Sequence, residues 1–163
     1  MTGRTYAKKG KTPGLTVSDT KRYRHLSVSA FIGQGGQLHY HVQEESFKGK
    51  DIALQLEDHF GGRKRKKAII AWDNATIHKS SEIKEYLRQD KQQRVWLSNI
   101  PPYAPEFNPT ELLWAYLKGV SLVGIVCKNL TELKEVVIKK LEEIKRNKKL
   151  IISFFKHPKV CFI

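Results

Sequence analysis

Two carboxylates stand in settings that suit a hard metal ion. Asp73 follows a continuous apolar run, Ala68-Ile69-Ile70-Ala71-Trp72, and precedes Asn74. Ligands gather at the carboxyl ends of strands in open α/β sheets, so an Asp at the end of such a run is well placed to bind one. Asp-Asn after a strand also makes an Asx-type turn, and the residues alone leave both readings open. Glu111 lies in Asn108-Pro109-Thr110-Glu111, with 37 residues between it and Asp73. Asn at the N-cap, Pro at the first helical position and Glu two places on form a capping signature, which accounts for Glu111 without any chemistry. The segment before it, Ile100-Pro101-Pro102-Tyr103-Ala104-Pro105-Glu106-Phe107, is more than a cap needs. Proline-stiffened chain loses less entropy on ordering and suits holding one carboxylate in a fixed place. Two carboxylates on separate elements can share divalent ions, and hard oxygen ligands suit Mg²⁺ or Mn²⁺. Such ions activate a water or a 3′ hydroxyl and stabilise the leaving oxygen of a phosphodiester. No Gly-rich phosphate loop, Ser/His/Asp set or Cys/His metal spacing competes with this reading.

Charge points the same way. The 163 residues carry 30 Lys and Arg against 16 Asp and Glu, a net charge of +14. A domain so basic expects an acidic partner, of which nucleic acid is the commonest; the alternative is a solvated basic surface. Arg63-Lys64-Arg65-Lys66-Lys67 is the densest run, and Lys118 lies seven residues beyond Glu111. Each can meet phosphate or only water. Cys127 and Cys161 have no metal-type spacing and make no disulfide scaffold, so they read as buried thiols in a reducing cytosol. No apolar run approaches the roughly 18 residues of a membrane span, and the first residues show no secretory signal.

The elements that must position these residues are legible by period. Residues 1–21 read as a basic arm or loop. Arg24–Ile32 and Gln37–Val42 alternate around Gly33-Gln34-Gly35-Gly36, a β-hairpin. Lys50–Phe60 is helical by spacing and ends at Gly61-Gly62. The apolar run 68–72 reads as a strand buried on both faces. A helix capped by Ser80 or Ser81 runs to about Gln89, a short strand covers Arg94–Leu97, and a helix runs from Pro109 to about Gly119. Asn129 caps a long amphipathic helix through Leu130, Leu133, Val137, Leu141 and Ile144. Leu150–Phe155 packs back on the body. The order β-β-α-β-α-β-α-α predicts one domain over 1–163, an α/β fold with a mixed sheet flanked by helices.

The blocks Ala71-Trp72-Asp73-Asn74-Ala75-Thr76-Ile77-His78-Lys79-Ser80 and Leu97-Ser98-Asn99 through Phe107-Asn108-Pro109-Thr110-Glu111-Leu112-Leu113-Trp114 resemble the catalytic core of DDE transposases. The group they look most like is the bacterial insertion-sequence branch of the mariner-like superfamily. Arg4 to Pro13 looks like the family's basic segment after its first strand. The resemblance implies an RNase H-like fold, Mg²⁺-dependent DNA cleavage and strand transfer, and Asp73 and Glu111 as the second and third acidic ligands. Asn74, His78 and Asn108 are then the neighbours that position them, with His78 matching a histidine of the family's strand-to-helix turn. The implied partners are transposon-end and target DNA, with a second copy or an upstream transposase fragment, in the bacterial cytosol.

The departure from the family pattern is at the start. The family's first Asp ends a central strand just upstream of the segment resembled by Arg4–Pro13, and here only Met1-Thr2-Gly3 precede it. Asp19, Asp51 and Asp58 lie on no buried strand. The expectation is a sheet lacking its first central strand, in a C-terminal piece of a transposase: a degraded copy or the second half of a split reading frame. Two functions follow. One is a catalytic domain that is inactive until the first Asp is supplied; the other is a non-catalytic DNA-binding remnant.

Overall fold

The computed structural model describes residues 25–61, 67–89, 95–101 and 104–156. Strands β1 (Ser27–Ile32) and β2 (Leu38–Gln43) form the expected antiparallel hairpin, in register from Ser27 opposite Gln43 to Ile32 opposite Leu38. Its turn needs glycine at Gly36, where φ is +80° and an added Cβ would press on the backbone of Lys148. Alternation sends Leu26, just ahead of β1, and Val28, Ala30 and Ile32 of β1, with Leu38, Tyr40 and Val42 of β2, toward one layer of helices.

That layer comprises α3 (Pro109–Tyr116), α4 (Leu130–Arg146) and α5 (Lys148–Phe155). Asn129 caps α4, its side chain accepting the Glu132 N–H at 2.8 Å, and Asn147 caps α5 in the same way through Leu150. The 3.6-residue period then buries Val137, Leu141 and Ile144 against Leu113, Leu117, Ile151 and Phe154, with Trp114 half-buried beside them. Each such side chain contributes about 1.5–3 kcal/mol when fully buried. The Tyr40 hydroxyl donates to Glu142 at 2.7 Å, tying β2 to α4. Burial, with the Glu142 carboxylate beside it, pushes the Tyr40 pKa up to about 12.

The second half pairs β3 (Ala68–Trp72) with β4 (Val95–Asn99) in parallel. Helices α1 (Gly49–Leu56) and α2 (Ser81–Gln89) cover one face, where Ile52, Leu56, Trp72 and Ile83 are buried and Ile70 and Leu97 pack beside them. The other face corrects the expectation of a strand buried on both sides: Ile69 is 76% exposed, and Ala71 is exposed as well. The apolar run is not wrapped because α3–α5 cover the hairpin and do not extend over β3. Phe31 of β1 packs into this smaller core, and Ser29 Oγ donates to Gln55 Oε1 at 2.8 Å on α1. One helix thus backs both strand pairs.

The architecture is mixed α/β, as expected, but its strands form two separate two-stranded sheets. Among the described residues, no strand joins the unpaired edge of β1 to that of β3. The helix expected over 50–60 ends at Leu56 and passes into a π-helical turn, Glu57–Gly61; α3 likewise passes into one at Leu117–Ser121. Strand β4 extends two residues past Leu97, carrying pairing up to the proline-rich segment. Cys127 is a free thiol but only half-buried. The basic arm over 1–21, Arg63, Lys64, Arg65, Lys66 and Cys161 lie outside the described residues. No helix among the described residues is long and apolar enough to cross a membrane.

Candidate functional site

Because β3 and β4 are parallel, the chain leaves both strands at the same edge of their sheet. Pairing runs to the end: Trp72 lies opposite Asn99, and the Ile100 N–H donates to the Trp72 carbonyl at 2.8 Å. Asp73 leaves one strand there, and the segment leading to Glu111 leaves the other. Asn74 clamps the two exits together, its Nδ2 donating to the Ile100 carbonyl at 2.8 Å.

Asp73 makes the Asx turn and remains available. Its Oδ1 accepts the Ala75 N–H at 3.0 Å, which fixes the carboxylate, yet the side chain is 59% exposed. His78 Nε2 lies 3.2 Å from the same oxygen. The His78 ring stacks on Trp72, with centroids 4.3 Å apart and planes 17° from parallel. Burial lowers the His78 pKa, and the Asp73 charge opposes that shift without cancelling it. A neutral imidazole donating from Nε2 to Asp73 accounts for this geometry; Nδ1 is buried with no hydrogen-bond partner among the described residues.

The helix-cap account of Glu111 divides between two residues. Asn108 does the capping: its side chain accepts the Thr110 N–H and its carbonyl the Glu111 N–H, both at 3.0 Å. Among the described residues, the Glu111 carboxylate returns no bond to Asn108, so it stays exposed at the first turn of α3. In donor type, Asp73 and Glu111 fit a hard divalent ion. In number they fall short, because no group of three His, Cys, Asp or Glu able to hold a metal occurs among the described residues. Asp51 is occupied, accepting the Lys48 N–H at 2.8 Å as part of the α1 cap.

Two contributors escaped the sequence reading. One is the Ile100 backbone, which no side-chain pattern reveals. The other is Trp72 as the platform for His78; an aromatic just before Asp73 and a His five residues after it were the available signal. Lys118 is exposed at the start of the π-helical turn after α3. Of the basic run, Lys67 is described, and its Nζ sits 5.2 Å from the centroid of the Trp96 ring.

A family model described as DDE superfamily endonuclease matches residues 1–134. No curated protein matches the sequence. The fold is similar to that of the Mos1 mariner paired-end complex with Mn, with a TM-score of 0.56 and 12% identity over 93% of this chain and 50% of that one. It is also similar to the Mos1 strand transfer complex, with a TM-score of 0.58 and 12% identity over 93% of this chain and 49% of that one. A third similar structure is the Mos1 transposase paired-end complex with the left transposon end, with a TM-score of 0.56 and 13% identity over the same shares. The chain thus spans about half the length of the Mos1 chains it matches. At these identities the likeness shows the fold, which is the RNase H-like fold of that transposase. With the family model covering most of its length, the chain belongs to the DDE superfamily endonucleases, enzymes that use divalent metals.

Proposed function

We propose that this chain acts as one transposase catalytic domain, of the bacterial insertion-sequence branch, for Mg²⁺- or Mn²⁺-dependent cleavage and strand transfer of transposon-end and target DNA in the cytosol. The observation that carries the reading is the clamped pair of strand exits, which directs Asp73 and the Glu111 segment from one sheet edge. Asp73 and Glu111 would hold the metal. When bound, it would supply an activated water or 3′ hydroxyl and stabilise the leaving oxygen. His78 holds Asp73 Oδ1 in place, Asn74 holds the two exits together, and Asn108 fixes the first turn of α3 that bears Glu111. Lys118 and the run Arg63–Lys67 meet DNA phosphates.

The third carboxylate comes from outside the described residues, from an upstream segment or a second chain, and the chain alone is inactive. One observation favours a second reading, DNA binding without chemistry: no group of three His, Cys, Asp or Glu able to hold a metal occurs among the described residues. The experiment joins a β-strand ending in Asp ahead of Met1 and follows nicking of supercoiled DNA with Mg²⁺ or Mn²⁺. We expect nicking from the joined chain, and none when that Asp is Asn or with Asp73→Asn or Glu111→Gln. Salt-sensitive binding without nicking in every version supports the second reading. Nicking by the unmodified chain, dependent on Asp73 and Glu111, overturns the supplied-carboxylate reading.

A further inference from the structure

The outward face of the β3–β4 sheet is built of Ile69, Ala71, Trp96 and Ser98, with Ile69 opposite Trp96 and Ala71 opposite Ser98 in the parallel register. It is open: Ile69 is 76% and Trp96 42% exposed, and Ala71 and Ser98 are exposed too. An indole this exposed on a strand contributes little to the core. Nor is it merely bare, because Lys67, of the same alternation as Ile69, places its ammonium 5.2 Å from the ring centroid. None of the four face residues is acidic.

A face that pairs an exposed aromatic with a cation suits one occupant better than others. The cores of protein–protein interfaces are depleted in lysine. Two copies meeting here would also bring together two chains of net charge +14. Single-stranded nucleic acid has the complementary chemistry, with base π-faces for the indole and phosphates for the lysine. The lysine is moreover the last residue of the run Arg63–Lys67, the most concentrated positive charge in the sequence.

We propose that Trp96, with Lys67, is a stacking site for an unpaired DNA base, a role that rests on the DNA-directed reading above. Strand β3 carries this face toward the metal site. Asp73 lies four residues beyond Ile69, or about 13 Å at about 3.3 Å per residue. That is about four steps of a DNA strand at 3.4 Å. A base seated on Trp96 therefore marks unpaired DNA a few nucleotides from the phosphate presented to Asp73 and Glu111.

The experiment measures binding of an oligothymidylate and of a duplex with the same number of phosphates, at one salt concentration, to the full chain. The variants are Trp96→Ala, Trp96→Phe and Lys67→Ala, and thermal unfolding is followed for each. Trp96→Ala should weaken single-strand binding about 5- to 150-fold, with duplex binding changed less than twofold and an unchanged melting temperature. Trp96→Phe should keep most of the affinity, and Lys67→Ala should lower both affinities and flatten the salt dependence of each. Equal single-strand binding by Trp96→Ala and the parent chain overturns the stacking site while leaving the duplex result, and with it the DNA reading, intact. Equal loss on both DNAs overturns it too. So does self-association of the parent chain that Trp96→Ala abolishes, which would assign the face to a second copy. A parent chain that binds neither DNA overturns the reading on which the proposal rests.

Discussion

The hairpin half and the β3–β4 half of this molecule differ in how they are built. Among the described residues, the hairpin has three helices against one face and joins a core of eight buried side chains, from Leu38 to Phe154. The β3–β4 pair has a core of four described residues, with one sheet face open to solvent. The two candidate ligands are divided between them: Glu111 rides on α3 in the heavier half, and Asp73 leaves the lighter one. The site is therefore only as well ordered as the connection between the halves. Phe31, the Ser29–Gln55 bond and the Asn74–Ile100 clamp are contacts that provide it or steady its two exits.

Breaking the heavier core should have the largest effect. Leu113→Ala, at a fully buried position on the helix bearing Glu111, should cost about 2–5 kcal/mol in denaturant unfolding. Ile83→Ala in the smaller core should act more locally. Hydrogen exchange should show amides of β3 and β4 losing protection while those of α4 keep theirs. Equal loss everywhere would mean that the two halves open as one unit.

Tyr40→Phe should cost about 1 kcal/mol by removing the bond to Glu142. The Tyr40 hydroxyl, ahead of Lys145, holds the Glu142 carboxyl below its usual range. A depressed carboxyl stabilises the fold above its unfolded pKa and loses that contribution as pH falls through the folded value. The gap between parent and variant, measured by melting, should therefore shrink in acid. It should also shrink in base as pH rises from about 10, the ordinary tyrosine value, toward about 12, since there the unfolded phenol ionises first. The smallest effect belongs to Ile69→Thr on the open face, within about 0.5 kcal/mol. A loss of several kcal/mol there would show that something covers that face.

The same division explains what could be read from the sequence. Alternation in Leu26–Ile32 and Leu38–Val42, and the spacing of Val137, Leu141 and Ile144, are periodic signals, and the elements appear where those signals place them. The run 68–72 carries no period, so its composition cannot report whether one face or both are covered. That depends on how far α3–α5 reach, which is a tertiary property. At the site, Asp73 and Glu111 were legible as residue types at strand and helix ends. The division of labour between Asn108 as cap and Glu111 as open carboxylate was not, because the capping signature is the same whether or not the Glu closes the box. The Ile100 carbonyl that receives Asn74 belongs to the backbone and leaves no trace in side-chain pattern.

The central claim is that one sheet edge directs Asp73 and Glu111 toward a shared ion. Calorimetric titration of Mn²⁺ into the full chain, Asp73→Ala, Glu111→Gln and the double variant tests it most directly. Two carboxylates make a weak site, and each single substitution should remove most of the binding. The double variant should be little worse than either, since ligands of one ion are strongly non-additive. Single variants that bind Mn²⁺ as the parent does, or losses that simply add, would contradict the shared site and leave Asp73 to its Asx turn and Glu111 to its helix.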